Sequence, residues 1–394
     1  MNKMIKKSPV FKVIKREFRI LVKKKPLMFL SLIVPGLFFL IFALIFKNGV
    51  LRDIPVAIYD EDRSSLSLLI SRYVESTGSM AIVEYVNSLD ELKSEFRKGN
   101  IDAAFYLPRN MEKDVKGGKQ SHPVLFINAM NLIKSNNILN DGEKIIKTVS
   151  GGILLKKIRS SGSGENQAMD IINPIKIDSQ IMYNPDYSYE QYLFPGLAVF
   201  TLMMIIMLTS VLVVNSEISN NTFGGLISSG GNKLYAIIIG KSFPYIVIHS
   251  LNVIILAGVI LPLFSIGING QVIATILFTI LFVIVSFMVG MAVSVLIRDQ
   301  MFSTEIILFI NTPAFIFSGL TFPLWSMPKV ISAFAQVIPF THFLSGFMRL
   351  SLWNAPLRYA APDLEWMLGF LVFFVIVIYF GLKHRIRIHE KGIN

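Results

Sequence analysis

The sequence predicts an α-helical polytopic membrane protein with six transmembrane helices, a re-entrant or interfacial helical hairpin and one inserted extracytoplasmic α/β domain. Three observations carry that expectation. Apolar runs of about 18 residues or more recur along the chain, and each is long enough as a helix to cross a hydrocarbon core. Between the first and second runs lies a polar stretch in which strand-like and helix-like patterns alternate. Basic residues gather at both ends, which the positive-inside rule assigns to the cytoplasm.

Composition agrees. Of 394 residues, 53% are hydrophobic and 16% charged, with a mean hydropathy of +0.58, whereas a soluble domain carries about 25% charged residues. The net charge is +12. Residues 1–26 hold ten Lys/Arg against Glu17, and residues 383–394 hold Lys383, Arg385, Arg387 and Lys391 against Glu390, so the two ends contain the whole excess. No folded basic domain remains to present that charge to nucleic acid, and no nucleic-acid partner is expected. The absence of cysteine excludes disulfides and thiolate-bound metals.

Residues 1–26 are expected to form a cytoplasmic amphipathic helix on an anionic leaflet, with Phe11, Ile14, Phe18, Leu21 and Val22 at helical spacing. A basic flank that merely orients the first span is the plainer alternative. Residues 27–46 form span 1, too long for a typical signal-peptide core and without a clear cleavage site, hence a retained anchor. Residues 47–190 form the extracytoplasmic domain. Its strands are expected at 54–59, 80–86, 101–107 and 124–128, and its helices at 64–75, 88–98 and 131–158. The 88–98 helix opens with the capping pattern Ser88-Leu89-Asp90-Glu91, and residues 160–165 read as a flexible loop.

Spans 2 to 6 occupy residues 193–382, with apolar stretches at 193–214, 236–264, 272–297, 306–324 and 366–382. Residues 327–350 are apolar but broken by Pro328 and Pro339, which suggests the re-entrant or interfacial hairpin on the outer side. Residues 383–394 form a basic cytoplasmic tail. Lys329, Arg349 and Arg358 depart from the charge rule by falling on the outer side.

Gly240-Lys241-Ser242 resembles the end of a phosphate-binding loop, but Tyr235 stands where the first glycine is required and no buried strand precedes it. No ATP site, cofactor or metal is expected. His122, His249, His342, His384 and His389 are scattered and form no hydrolase pattern. His249 and Asn252 in span 3, and Glu305 and Asn311 in span 5, are costly intramembrane polar groups. Hydrogen bonding between helices accounts for them more readily than substrate contact does.

The loop NSEISNNTFGGLISSGGNKLYAIIIGK (215–241) resembles the first intracellular loop of ABC type-2 transporter permeases. Glu217 matches an acidic position, Thr222 the threonine, Leu226 and Ile227 the apolar helix face, Lys233 the basic position, and Gly240 with Lys241 the closing pair. Ser219, Asn221 and Gly230 replace a second acid, a glycine and a proline. Further similar segments are IPVAIYDEDRSSLS (54–67), KGNIDAAFYLP (98–108), YNPDYSYEQYLFPG (183–196) and SGLTFPLWSMPKVISAFAQVIPFTHFLSGFMR (318–349), in the family's order.

The resemblance implies the permease subunit of an ATP-driven exporter of a drug- or lipid-like compound. Its partners would be ABC ATPase subunits, a second permease subunit in a homodimer or heterodimer, membrane lipids and, as a further candidate, periplasmic adaptor proteins. Residues 215–235 would then couple to the ATPase through Glu217, Thr222, Phe223, Leu226, Ile227 and Lys233, with Glu217 near the start of a short helix and free to meet a partner. Pro339, Phe340, Phe343 and Phe347 would belong to an outer gate. A non-transporting envelope or secretion scaffold has the same architecture. An ion-coupled carrier should show internal repeats and mid-span acids, which are absent from the sequence.

Overall fold

The computed structural model describes residues 8–47, 51–160, 182–184, 188–264 and 270–390. Beyond Ser160, the loop expected at 160–165 lies outside the described residues. The chain divides into two units, one of Met1–Lys47 with Glu190–Asn394 and one of Asn48–Tyr189.

The first unit begins with α1 (Pro9–Lys23) and α2 (Lys25–Phe46), the latter widened by a π-helical turn at Phe29–Ile33. Lys24 separates the two, with ψ 78°, and its carbonyl accepts from the N–H groups of Leu27 and Met28. Pro26 falls in the first turn of α2, where a missing N–H costs nothing. The face that α1 buries differs from the one its apolar spacing suggests. Val13, Glu17 and Leu21 are buried, whereas Phe18 and Val22 are exposed.

The second unit is a four-stranded sheet with helices. In chain order it contains β1 (Ile54–Asp60), α3 (Ser65–Ser76), β2 (Met80–Val86), α4 (Leu89–Lys98), β3 (Ala103–Leu107), α5 (Met111–Lys116), β4 (Val124–Ile127) and α6 (Leu132–Ser160). The strand order is β2-β1-β3-β4, parallel except for the β3–β4 pair. The partly parallel sheet is therefore as predicted, and the short α5 is an addition. Ser88 accepts from the Glu91 N–H at 3.1 Å, and the Glu91 carboxylate accepts from the Asn87 N–H at 2.7 Å, so the expected N-terminal cap of α4 forms.

The first unit resumes with α7 (Tyr189–Ser219), α8 (Phe223–Ser229), α9 (Leu234–Leu263, with a π-helical turn at Leu256–Ile260), α10 (Val272–Leu296) and α11 (Gln300–Phe317). The fifth span thus starts at Gln300 instead of 306 and ends at Phe317 instead of 324. Asp299 caps its start by accepting from the Phe302 N–H at 2.6 Å, and Gly319 turns the chain after its end with φ 94°. α12 (Lys329–Gln336) and α13 (Pro339–Ser351) meet at a bend of 83°, with Pro339 opening α13.

The last helix, α14 (Leu357–Glu390), extends past the expected span at both ends and takes in most of the basic tail. Arg385 uses that extension, since it donates to the carbonyls of Val295 and Leu296 at 2.8 and 3.1 Å and caps the end of α10. Of the basic residues expected on the outer side, Arg349 pairs with Asp363 at 2.7 Å, and Arg358 lies over the Tyr359 ring at 5.0 Å. Among the described residues, six helices are long and apolar enough to span a membrane, namely α2, α7, α9, α10, α11 and α14, and the bent pair α12–α13 could add one more.

Candidate functional site

Glu217 lies near the C-terminal end of α7, where the helix dipole disfavours a carboxylate. Two cations offset that cost. Arg16 of α1 makes a bidentate pair with it, at 2.6 and 2.7 Å, and Lys241 of α9 reaches Oε1 at 2.7 Å. Thr222 adds a hydroxyl donor. Lys241 also donates to Glu17 of α1 at 2.7 Å, and Tyr245, one turn further along α9, donates to the other Glu17 oxygen at 3.2 Å. Glu17, Glu217 and Lys241 are all at most 2% exposed. The Glu217 hydrogen bond pushes the Arg16 guanidinium above its ordinary value.

The four charged groups sum to zero, and each has an opposite partner. That balance matters because an ion taken out of water costs several kcal/mol unless it is paired. The cluster therefore forms only when α1, the end of α7 and the start of α9 are together. Gly240 permits the approach, since a Cβ there would stand 2.5 Å from the Val13 Cβ.

α8 begins at Phe223, so Glu217 belongs to the preceding span rather than to the start of the loop helix. It is also not free, being buried and held by Arg16, Lys241 and Thr222. Phe223, Leu226 and Ile227 share the face that spacing predicted, but that face points into the unit, with Leu226 0% exposed. His389, near the end of α14, meets the Phe223 ring edge-on at 5.6 Å. What α8 and its flanks expose is polar: Asn221, Gly225, Ser228, Asn232 and Lys233. Gly230 and Gly231 follow the helix, leaving only Gly224 and Gly225 within it.

The other candidates separate. Phe340, Phe343 and Phe347 do come together, against Phe278 and Phe282 of α10, with Phe282 and Phe343 stacked at 4.0 Å. They are buried and form a closed aromatic cluster. His249 sits 3.2 Å from the Thr209 hydroxyl, and its Nδ1 has no partner among the described residues. Asn252 donates to the Ser31 carbonyl in the π-helical turn of α2 at 2.8 Å, a contact between spans. Among the described residues, Asn311 donates within its own helix, at 2.8 Å to the Ile307 carbonyl. Glu305 is exposed and lies in the second turn of α11.

Arg16, Glu17 and Tyr245 were not singled out from the sequence, and Lys241 appeared only in the rejected phosphate-loop triplet and in the closing pair. A signal for Glu17 existed: it is the one acid in residues 1–26 and lies at i, i+4 from both Val13 and Leu21.

Among the described residues, six membrane-length helices, with a short loop helix packed against them and a domain inserted after the first span, define a multi-pass membrane protein. Residues 25–380 match the family described as ABC-2 family transporter protein, and the chain belongs to that family. It is a membrane subunit of a transporter. The "Probable multidrug ABC transporter permease YbhS" of Escherichia coli (strain K12) is 21% identical over 344 residues, 86% of either chain. "ABC transporter G family member 20" of Dictyostelium discoideum is 21% identical over 225 residues, 56% of this chain but only 30% of that longer protein.

Proposed function

We propose that this chain is the permease half of an ATP-driven exporter, with hydrolysis supplied by separate ATPase subunits and a second permease, identical or not, completing the path. The observation that carries this is the anchored loop helix. α8 is tied by its apolar face to the bundle and, through the Thr222 hydroxyl just before it, to Glu217 of α7, which pairs with α1 and α9, while Ser228, Asn232 and Lys233 remain exposed for a partner. A push on that polar edge would pass to three helices at once through the paired charges.

Both termini and α8 lie in the cytoplasm in this proposal, and residues 47–190 lie outside the cell (inner) membrane. The basic ends support that orientation. The name of the Escherichia coli relative, a probable multidrug permease, supports a drug-like substrate. The bent pair α12–α13 would be a re-entrant element on the outer side, and its phenylalanines a gate in the closed state.

Inside-out vesicles holding the assembled complex test this. ATP-dependent accumulation of at least one lipophilic dye or short-chain lipid, lost without the ATPase, is expected. An assembled complex that accumulates none across a broad panel would favour the scaffold function.

A further inference from the structure

A cavity of about 700 Å³ lies where α1 passes into α2. Leu27 and Leu30 of α2 and Leu212 of α7 form an apolar wall, and Lys23, Lys24 and Lys25 line the same cavity. On a continuous helix, three successive side chains fan out by about 100° each. The break at Lys24 brings all three to one cavity.

No acid lines the cavity, and among the described residues none of the three lysines has an ion-pair partner, unlike the buried Lys241. All three are exposed. Ser219 and Asn220 at the end of α7, with Gln300 at the start of α11, add uncharged hydrogen-bonding groups. The position is the junction of an amphipathic helix with a membrane span, the depth at which lysine stems run along apolar surface and their heads reach the interface.

These features select an occupant. A free phosphate would meet the lysines and leave the leucine wall bare, and a neutral lipid would leave three cations unmatched. A molecule with an anionic phosphodiester and an acyl chain satisfies both. We propose that this cavity binds one anionic phospholipid, its phosphate on Lys23, Lys24 and Lys25 and an acyl chain along Leu30 and Leu212. The site stands independently of transport, and only the assignment of its leaflet as cytoplasmic rests on the orientation proposed above.

The test uses the full-length protein, purified in neutral detergent and titrated with phosphatidylglycerol, with bound lipid counted by native mass spectrometry. One tightly retained lipid is expected, and Lys23→Gln/Lys24→Gln/Lys25→Gln should weaken its binding about tenfold or more. Removing equal charge elsewhere on α1, by Lys12→Gln/Lys15→Gln/Arg19→Gln, should change it less than twofold. Leu212→Trp, which fills the cavity with the lysines intact, should also expel the lipid. Equal loss in the two charge variants, or no loss in either, would overturn the site in favour of diffuse attraction. Displacement by inorganic phosphate would reduce it to an anion site. Retention in Leu212→Trp, or loss of a dimer in the triple-lysine variant, would mean that the lipid sits elsewhere or that a second copy covers the cavity.

Discussion

Lys241 Nζ lies 2.7 Å from Glu17 Oε2 although 224 residues separate them, and the same ammonium lies 2.7 Å from Glu217 Oε1. One cation thus ties the N-terminal helix to the second and third spans. Because the lysine is 1% exposed, its loss leaves two carboxylates without their shared partner. Lys241→Met is expected to destabilise the protein by about 3–5 kcal/mol, read from denaturant titration in detergent. Adding Glu17→Gln should recover part of that loss in a double-mutant cycle. Strictly additive costs would show that the pair is not coupled.

Gly240 faces Val13 at a distance that excludes a side chain. Gly240→Leu should push α1 off α9, at a cost of about 1–3 kcal/mol for overpacking. The readout is protease sensitivity within residues 9–23, which should rise while the remaining spans stay protected. Unchanged protection would place α1 on the membrane without a fixed seat on the bundle.

Orientation is open to labelling because the natural chain has no cysteine. Lys93 and Lys383 are exposed, one on α4 and one near the end of α14. In whole cells with a permeable outer barrier, Lys93→Cys should react with an impermeant maleimide and Lys383→Cys should not. The opposite pattern would invert the proposed topology.

The phenylalanine cluster distinguishes a gate from a simple core. Phe340→Leu with Phe347→Leu keeps most of the apolar volume and removes ring contacts with Phe200 and Phe343. These contacts are worth about 0.5–1.5 kcal/mol each, so a measurable fall in thermal stability is expected in either case. A gate expects in addition a rise in dye leak across proteoliposomes without ATP. Stability loss with no leak would assign the rings to packing alone.

The spans and the inserted sheet were legible because their signals are local: run length for the helices, alternation and Ser88 capping for the domain. The ends of α11 and α14 were harder, since Asp299 capping and the Arg385 seat on α10 override hydropathy. The face by which α1 packs on the other helices was not legible for a related reason. Phe18 and Val22 are apolar, yet the packed stripe runs through Val13, Glu17 and Leu21, because Glu17 has a cation waiting on another helix. Leu226 and Ile227 were correctly grouped on one face, but periodicity states only that a face is buried, not against what. Pairings such as Arg16 with Glu217, 201 residues apart, are tertiary and leave no mark in local sequence.

The most direct test of the central claim is ATP hydrolysis by the complex isolated on this chain as bait from its native membrane, for the natural protein and for Ser228→Arg. Ser228 is exposed on α8, away from the packed face of Phe223, Leu226 and Ile227, so the substitution should spare folding. An ABC ATPase is expected to copurify in equal proportion with the natural chain, and Ser228→Arg should release it or reduce transport-linked hydrolysis several-fold at unchanged thermal stability. An isolated chain that brings no ATPase, or a complex whose composition and hydrolysis are the same with Ser228→Arg, would contradict coupling through this loop helix.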